Sequence, residues 1–251
     1  MKNTSDYSDK DDVLRLLLQG PPKSGKTVLA CKFPGAYIID IDRNLGGVLR
    51  YLRDNNLPMP IGYDHVDRDD ADALIPLPLR YARLAKLLLA AQENPLVQTI
   101  VLDSGTTLSD VLIHEALRGQ GKTAVADFKD GRQFWGHFAV LGKGFMAALS
   151  QMRKHIVLIC HEKTEKTAEG NVVYPIKVAW PGQVGEIIGC FFTNVWRCET
   201  KIIPAGASNT YKWVVRTLPD HRFALGNTLG LPAEFEFDWK LVEAKLKGVA
   251  K

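Results

Sequence analysis

The sequence has no apolar run long enough to cross a bilayer as a helix. Residues 1–12 are polar and mixed in charge, and they lack the apolar segment of a signal peptide. We therefore expect a cytoplasmic protein without a membrane partner, in which residues 1–12 form a flexible tail. A chain of 251 residues with 46% hydrophobic content can bury one sizeable core. Residues 13–251 are accordingly predicted to form a single domain.

No two of the four cysteines stand in a C-x-x-C pair. We interpret them as reduced, mostly buried thiols rather than as metal ligands or disulfides. A strong excess of charge is also missing, since the formal net charge is only +4. This value permits an anionic partner without the strong bias of an obligate nucleic-acid binder. Any case for DNA must rest on where the lysines and arginines lie.

The clearest motif is a phosphate-binding loop near the N-terminus. The pattern G-x-x-x-x-G-K-[ST] is matched at every fixed position by Gly20, Pro21, Pro22, Lys23, Ser24, Gly25, Lys26 and Thr27. Apolar residues before the loop, 13–18, predict a buried strand, and residues 28–33 after it predict a helix. This strand–loop–helix context distinguishes the motif from a chance match in a glycine-rich turn.

The chemistry of the loop follows from its backbone. Gly20 and Gly25 permit a tight turn whose N–H groups face an anion at the positive end of a new helix. Lys26 is predicted to reach the β- and γ-phosphates of a nucleoside triphosphate, and the Thr27 hydroxyl to bind Mg²⁺. Val28, which opens the helix, completes the predicted set of nucleotide-binding residues.

Asp42, Asp103 and His161 each end an apolar run that predicts a buried strand. Ligands collect at the carboxyl ends of strands in an open α/β sheet, so these side chains are expected near the triphosphate. Asp42 is predicted to hold and deprotonate the attacking water, Asp103 to bind Mg²⁺, and His161 to touch the γ-phosphate or that water. The structural alternatives are helix caps for the two aspartates and a satisfied core histidine for His161. Since no glutamate follows Asp103, the NTPase classes with a catalytic glutamate there are disfavoured, which draws attention to Asp42.

Residues 118–134 interleave glycine, basic and aromatic residues without an apolar period. Basic groups for phosphates beside rings for stacking suit single-stranded nucleic acid. The alternative for the first segment is a solvated loop, with Trp135 anchoring in the core a helix predicted over residues 136–154. A second segment, residues 162–180, is expected to be an extended excursion with a hairpin. It carries a second basic cluster of Lys163, Lys166 and Lys177.

Near the C-terminus, residues 190–199 and 210–217 predict an antiparallel pair of strands that extends the sheet. A final short helix is predicted over residues 238–247. His65, in a short strand predicted over residues 61–66, is expected at the surface.

This order of elements resembles the RecA-like ATPase core. Within that group it is similar to the phage and prophage family of short RecA-like, AAA-type nucleotide-binding proteins, some of which promote single-strand annealing in recombination. The resemblance covers about residues 13–217. It implies an α/β fold with a mostly parallel central sheet, helices on both faces and an antiparallel edge. It also implies ATP and Mg²⁺ as cofactors, and a phage- or prophage-encoded protein in a bacterial host.

The resemblance implies roles for several residues. Asp42 stands where RecA-type enzymes carry a catalytic glutamate, so its shorter side chain implies a slow ATPase. His161 replaces the usual glutamine that senses the γ-phosphate, and the two basic segments correspond to the DNA-binding loops of the family. The DNA contacts that this resemblance implies are Lys122, Lys129, Arg132, Lys163 and Lys166. Assembly into a ring or filament is implied too, because basic residues of a neighbouring subunit complete such sites. The candidates for that role are Lys212, Arg216 and Arg222.

Two other functions remain open from the sequence. One is a nucleotide-gated DNA-binding or loader module with little hydrolysis, which the short Asp42 side chain favours. The other is a P-loop kinase for a small molecule, which would need arginines over the phosphates. Arg80 and Arg83 are the residues that keep this second alternative open.

Overall fold

The computed structural model describes residues 13–205 and 208–248. The flexible tail predicted over residues 1–12 lies outside the described residues. Within the described part, no helix combines the length and the apolar character needed to span a membrane.

One sheet runs through the protein in the strand order β10-β8-β7-β1-β5-β4-β2-β3. The strands from β7 to β3 in this order pair in parallel, whereas β8 and β10 extend the sheet by antiparallel pairing. Two short strands lie off this path, β6 on β5 and β9 on β7. The strands are β1 (Arg15–Gly20), β2 (Ala36–Asp40), β3 (Gly62–His65), β4 (Thr99–Asp103), β5 (His155–Lys163), β6 (Lys177–Val178), β7 (Asn194–Ala205), β8 (Ser208–Arg216), β9 (Gly226–Asn227) and β10 (Glu234–Phe235).

Helices cover both faces of this sheet. They are α1 (Lys26–Ala30), α2 (Leu45–Asp54), α3 (Arg80–Glu93), α4 (Gly105–Gly119), α5 (Gly131–Gln151), α6 (Gly182–Ile187) and α7 (Trp239–Leu246), with 3₁₀ turns at Leu77–Leu79, Val125–Asp127 and Ile188–Phe191.

The alternating side chains of β1 divide the core into two layers. Leu17 points into one layer with residues of α3, α4 and α5. Leu16 and Leu18 point into the other with residues of α1, α2 and α7. Together with the sheet topology, this confirms the predicted fold class, an α/β RecA-like P-loop fold with a mostly parallel sheet and an antiparallel edge.

The sheet register brings the predicted site residues together at the carboxyl ends of the strands. Strand β5 lies between β1 and β4, with His161 opposite Gly20 and Ile159 opposite Asp103. Asp103 in turn lies opposite Asp40 of β2. The carboxyl ends of four parallel strands therefore surround the loop that follows β1.

The structure corrects three expectations. Helix α5 begins at Gly131 rather than at residue 136, because the Asp130 side chain caps it by accepting from the Arg132 N–H. Its core anchor is Phe134, which is fully buried, whereas Trp135 is 41% exposed.

Strand β7 begins at Asn194 rather than near residue 190, because the preceding turn, Ile188–Phe191, is a 3₁₀ helix. His65 is half-buried instead of lying at the surface, with Nδ1 3.4 Å from Asp40 Oδ2.

His155 joins the amino end of the sheet to the C-terminal helix. Its Nδ1 accepts a hydrogen bond of 2.9 Å from the Leu14 N–H, and its ring packs edge-on against Trp239. Burial, helped by the nearby Arg15 cation, lowers the pKa of His155 to about 4. The imidazole is therefore neutral in the folded protein at pH 7.

We predict that His155 makes the protein acid-sensitive. The pKa of His155 is lower in the folded than in the unfolded state. Its contribution to the free energy of unfolding is therefore complete above pH 6.5 and is lost as the pH falls towards 4. Compared with His155→Asn, which keeps an acceptor for Leu14, the wild type should lose about 3 kcal/mol more in unfolding free energy over that range. Urea unfolding at pH 4 and pH 7 measures this, and parallel losses in both proteins would contradict it.

Candidate active site

The loop between β1 and α1 has the backbone geometry that its glycines permit. Gly25 has φ +83°, and a Cβ there would lie 2.4 Å from the Trp213 ring. A Cβ on Gly20 would lie 2.5 Å from the Cys198 carbonyl oxygen. Neither position accepts a side chain, so both glycines are needed for the loop to pack against β7 and β8.

The Lys26 side chain is buried and folds back along its own loop. Its Nζ donates to the Gly20 carbonyl at 2.8 Å and to the Pro21 carbonyl at 2.7 Å. Burial lowers the pKa of Lys26, while the charges of Asp103 and Glu162 act in the opposite direction. An ammonium group in this position can exchange its carbonyl partners for phosphate oxygens.

Thr27, at the start of α1, contacts Asp103, at the end of β4: Thr27 Oγ1 donates to Asp103 Oδ2 at 2.6 Å. Burial raises the pKa of Asp103 to about 6, opposed by the Thr27 hydrogen bond and reinforced by the charges of Asp42 and Asp40. A hydroxyl and a carboxylate side by side are hard oxygen ligands, and Mg²⁺ is bound by one or two such groups together with substrate phosphates. The residues present therefore fit Mg²⁺.

Asp42 and His161 face each other across the cleft, with His161 Nε2 3.9 Å from Asp42 Oδ2. Burial and the Lys26 cation hold the pKa of His161 below its ordinary value, which keeps the imidazole neutral at pH 7. Asp42 Oδ1, His161 Nδ1 and Ser24 Oγ are buried without a hydrogen-bond partner among the described residues. These polar atoms can serve a ligand without first giving up a protein contact.

Asp40, and not Asp42, caps the start of α2. Its carboxylate accepts from the N–H groups of Asn44 and Leu45, each at 3.3 Å, at the start of α2. Asp40 is buried, whereas Asp42 lines the cleft. The geometry therefore separates a structural aspartate from one available for chemistry.

The cleft that these residues line has a volume of about 610 Å³. Every residue of the loop from Pro22 to Val28 borders it, together with Asp42, Asp103 and His161. Its other wall is aromatic, formed by Tyr51, Tyr211 and Trp213. Sequence reasoning missed these rings, because nothing local signals that β8 returns to the loop; the only hint is Tyr211 and Trp213 alternating along one strand.

The predicted nucleic-acid residues are exposed and lie on two separate segments of the chain. Lys122 and Lys129 lie in the connection between α4 and α5, and Arg132 lies on the first turn of α5. Lys163 ends β5 and lies 3.8 Å from Glu165, and Lys166 lies in the hairpin closed by its bridge to Val172. The excursion thus contains the expected hairpin, and the first segment is shorter than expected.

A groove of about 460 Å³ lies between α5 and this excursion. Lys143, Lys163 and Lys177 line it beside Trp180. Glu186 pairs with Lys177 at 3.0 Å and neutralises part of the charge.

The other candidate cations have partners within the chain. Lys212 pairs with Glu236, while Arg216 and Arg222 both pair with Asp220, at 3.1 and 3.4 Å.

The arginines that kept the kinase alternative open serve structural contacts. The buried Arg83 binds Asp64 at 3.1 Å and Asp70 at 2.5 Å, and Arg80 donates to the Ile75 carbonyl. The structure therefore gives that alternative no support.

The fold and the site together define a P-loop ATPase domain of the RecA-like, AAA-type class. A family model described as an AAA domain matches residues 13–228, and the chain belongs to this AAA domain family. No curated protein sequence matches the chain.

Two solved structures are similar over most of their length. A KaiC-like protein from Pyrococcus horikoshii OT3 has 11% identity and a TM-score of 0.43, with 84% of this chain and 83% of that protein covered. The flagellar accessory protein FlaH from Methanocaldococcus jannaschii has 14% identity and a TM-score of 0.33, with 90% and 98% covered.

We predict that Gly25→Ala lowers the affinity for nucleotide at least tenfold, since a left-handed residue with a Cβ costs about 1–2 kcal/mol before any displacement of Trp213. The matched control is Gly46→Ala in α2, where a Cβ meets nothing within 4 Å. Titration calorimetry with ATP measures both. Equal affinities for the two variants would mean that nucleotide binding does not depend on the glycine geometry of the loop.

Proposed function

We propose that the protein binds Mg·ATP and hydrolyses it slowly, and that the nucleotide controls its hold on single-stranded DNA. The observation that carries the first part is the Thr27–Asp103 hydrogen bond beside the buried Lys26. These groups are the ligand set for a triphosphate and its cation, brought together from the start of α1 and the end of β4.

In this proposal each residue has one task. The loop N–H groups and Lys26 hold the phosphates, and Thr27 and Asp103 hold Mg²⁺, which supplies charge neutralisation when it is bound. Asp42 orients the attacking water and accepts its proton. His161, being neutral at pH 7, can exchange hydrogen bonds with the γ-phosphate and the water without adding charge.

Slow hydrolysis is supported by the reach of Asp42. An aspartate is one methylene shorter than the glutamate found at this position in RecA-type enzymes. General-base catalysis needs hydrogen-bond contact with the water, so a shorter side chain makes the productive geometry harder to reach. The same feature supports the alternative of a nucleotide-gated module with negligible turnover.

The DNA part of the proposal rests on where the basic segments attach. Strand β5 carries His161 and ends at Lys163, where the excursion with Lys166 begins. Ser104 alone separates Asp103 from α4, and the far end of α4 leads into the connection that holds Lys122 and Lys129. A change in either cleft residue can therefore displace the segment that follows it. Exposed cations, with the partly exposed rings of Trp135 and Tyr174, offer charge and stacking to a single strand.

The wider setting is part of the same proposal. We place the protein in phage-type recombination or single-strand annealing, in the cytoplasm of a bacterial host, as a ring or filament. In such an assembly Lys212, Arg216 or Arg222 would release its carboxylate partner and act on a neighbouring subunit's ATP.

We predict that Lys26→Ala lowers ATP affinity at least tenfold, because hydrogen bonds to a charged group contribute about 1.5–3 kcal/mol. Lys240→Ala, which removes an exposed lysine from α7, is the control and should bind ATP normally. Calorimetry with Mg·ATP measures both variants. Undiminished binding by Lys26→Ala would refute the proposed nucleotide site.

We further predict that single-stranded DNA stimulates the ATPase rate. Replacing Lys129, Arg132 and Lys166 together by alanine should abolish the stimulation. It should also lower the slope of log affinity against log salt by about 0.7 for each lost phosphate contact.

The matched control is the triple alanine variant at Arg50, Arg53 and Lys240, which removes the same charge elsewhere. Nucleotide-dependent DNA binding with negligible turnover would favour the gated module. No effect of DNA on turnover, and none of nucleotide on DNA binding, would refute the DNA proposal.

A further inference from the structure

The aromatic wall of the cleft has no part in the phosphate chemistry described above. Trp213 lies 5.3 Å from Tyr51 and 5.8 Å from Tyr211, measured between ring centroids. Tyr211 is 61% exposed, and the other two rings are half-buried. Exposing a large ring costs hydrophobic stabilisation, so a ring that stays open at a cleft is available to a ligand.

This wall is continuous with the phosphate loop. The Trp213 ring packs directly on Gly25, and Val28 borders the same space. Beyond the rings the space opens into a second recess of about 250 Å³, lined by Leu29, Tyr51 and Trp213 among others. A triphosphate held on the loop N–H groups therefore has its nucleoside end within the region where the rings lie.

We propose that Trp213, Tyr211 and Tyr51 form the nucleobase subsite and hold the base by stacking. Every base has a π-face, and stacking on an aromatic side chain gains with ring area. The subsite therefore favours purine over pyrimidine nucleotides. This inference rests on the proposed nucleotide function, because it assigns the base end of the same ligand.

The phosphate and base contributions can be separated with inorganic triphosphate, which has no base. We expect Tyr211→Ala and Trp213→Ala each to weaken ATP binding by about 5- to 150-fold, the range for one stacking contact. Binding of inorganic triphosphate should be unchanged in Tyr211→Ala, and in Trp213→Ala, whose ring packs on Gly25, it should fall less than ATP binding does. Trp213→Phe should keep most of the ATP affinity because it retains a ring on Gly25.

The control is Tyr63→Ala, which removes an exposed ring from the opposite edge strand, β3, and should leave ATP affinity unchanged. The wild type should bind ATP more tightly than CTP. Because Trp213 supports the loop, its alanine variant can also fail to fold. The exposed Tyr211 then still tests the subsite.

Three results would overturn the inference. Equal weakening of ATP and inorganic triphosphate would mean that the rings only support the loop. Unchanged ATP affinity in Tyr211→Ala and Trp213→Ala, with equal wild-type affinity for ATP and CTP, would mean that the base is not held there. If the wild type bound neither ATP nor inorganic triphosphate, the proposed function itself would fail, whereas the first two results leave the phosphate site standing.

Discussion

The hydrogen bond from Thr27 to Asp103 is the contact on which the candidate site depends. It joins residues 76 positions apart and ties the start of α1 to the end of β4 across the intervening strand β5. The bond fixes where the loop stands relative to the sheet. It also places a hydroxyl and a carboxylate together in a buried position, where both keep oxygen atoms for a cation.

That position carries an electrostatic cost. Asp40, Asp42 and Asp103 gather at one edge of the sheet, and their mutual repulsion adds to the burial that raises the pKa of Asp103. Asp40 is compensated by two backbone N–H groups and by His65, whereas the Asp103 side chain accepts from Thr27 and is favoured by the Lys26 charge. A divalent cation beside Asp103 would offset the remaining repulsion, so the charge distribution of the free site favours binding one.

Local pattern was sufficient for the parts of the site that lie along β1, β2, β4 and β5. A buried strand reads as an apolar run, and its first polar residue marks the ligand edge, which is why Asp103 and His161 could be located from sequence. The start of α5 could not, because glycine and polar residues conceal a helix that the Asp130 cap and the buried Phe134 determine. The aromatic wall was also out of reach, since it depends on β8 returning to the loop.

The two walls of the cleft are nevertheless connected through side-chain contacts and strand pairing. Arg197 of β7 binds Glu162, the residue after His161, at 2.7 Å, and β7 pairs along its length with β8, which carries Trp213. Trp213 in turn rests on Gly25 of the loop. A ligand that displaces His161 therefore acts on a segment anchored to the strand pair that holds the opposite wall. Because packed strands shift together rather than bend independently, we expect a movement of the wall that holds His161 to be transmitted to the wall that holds Trp213.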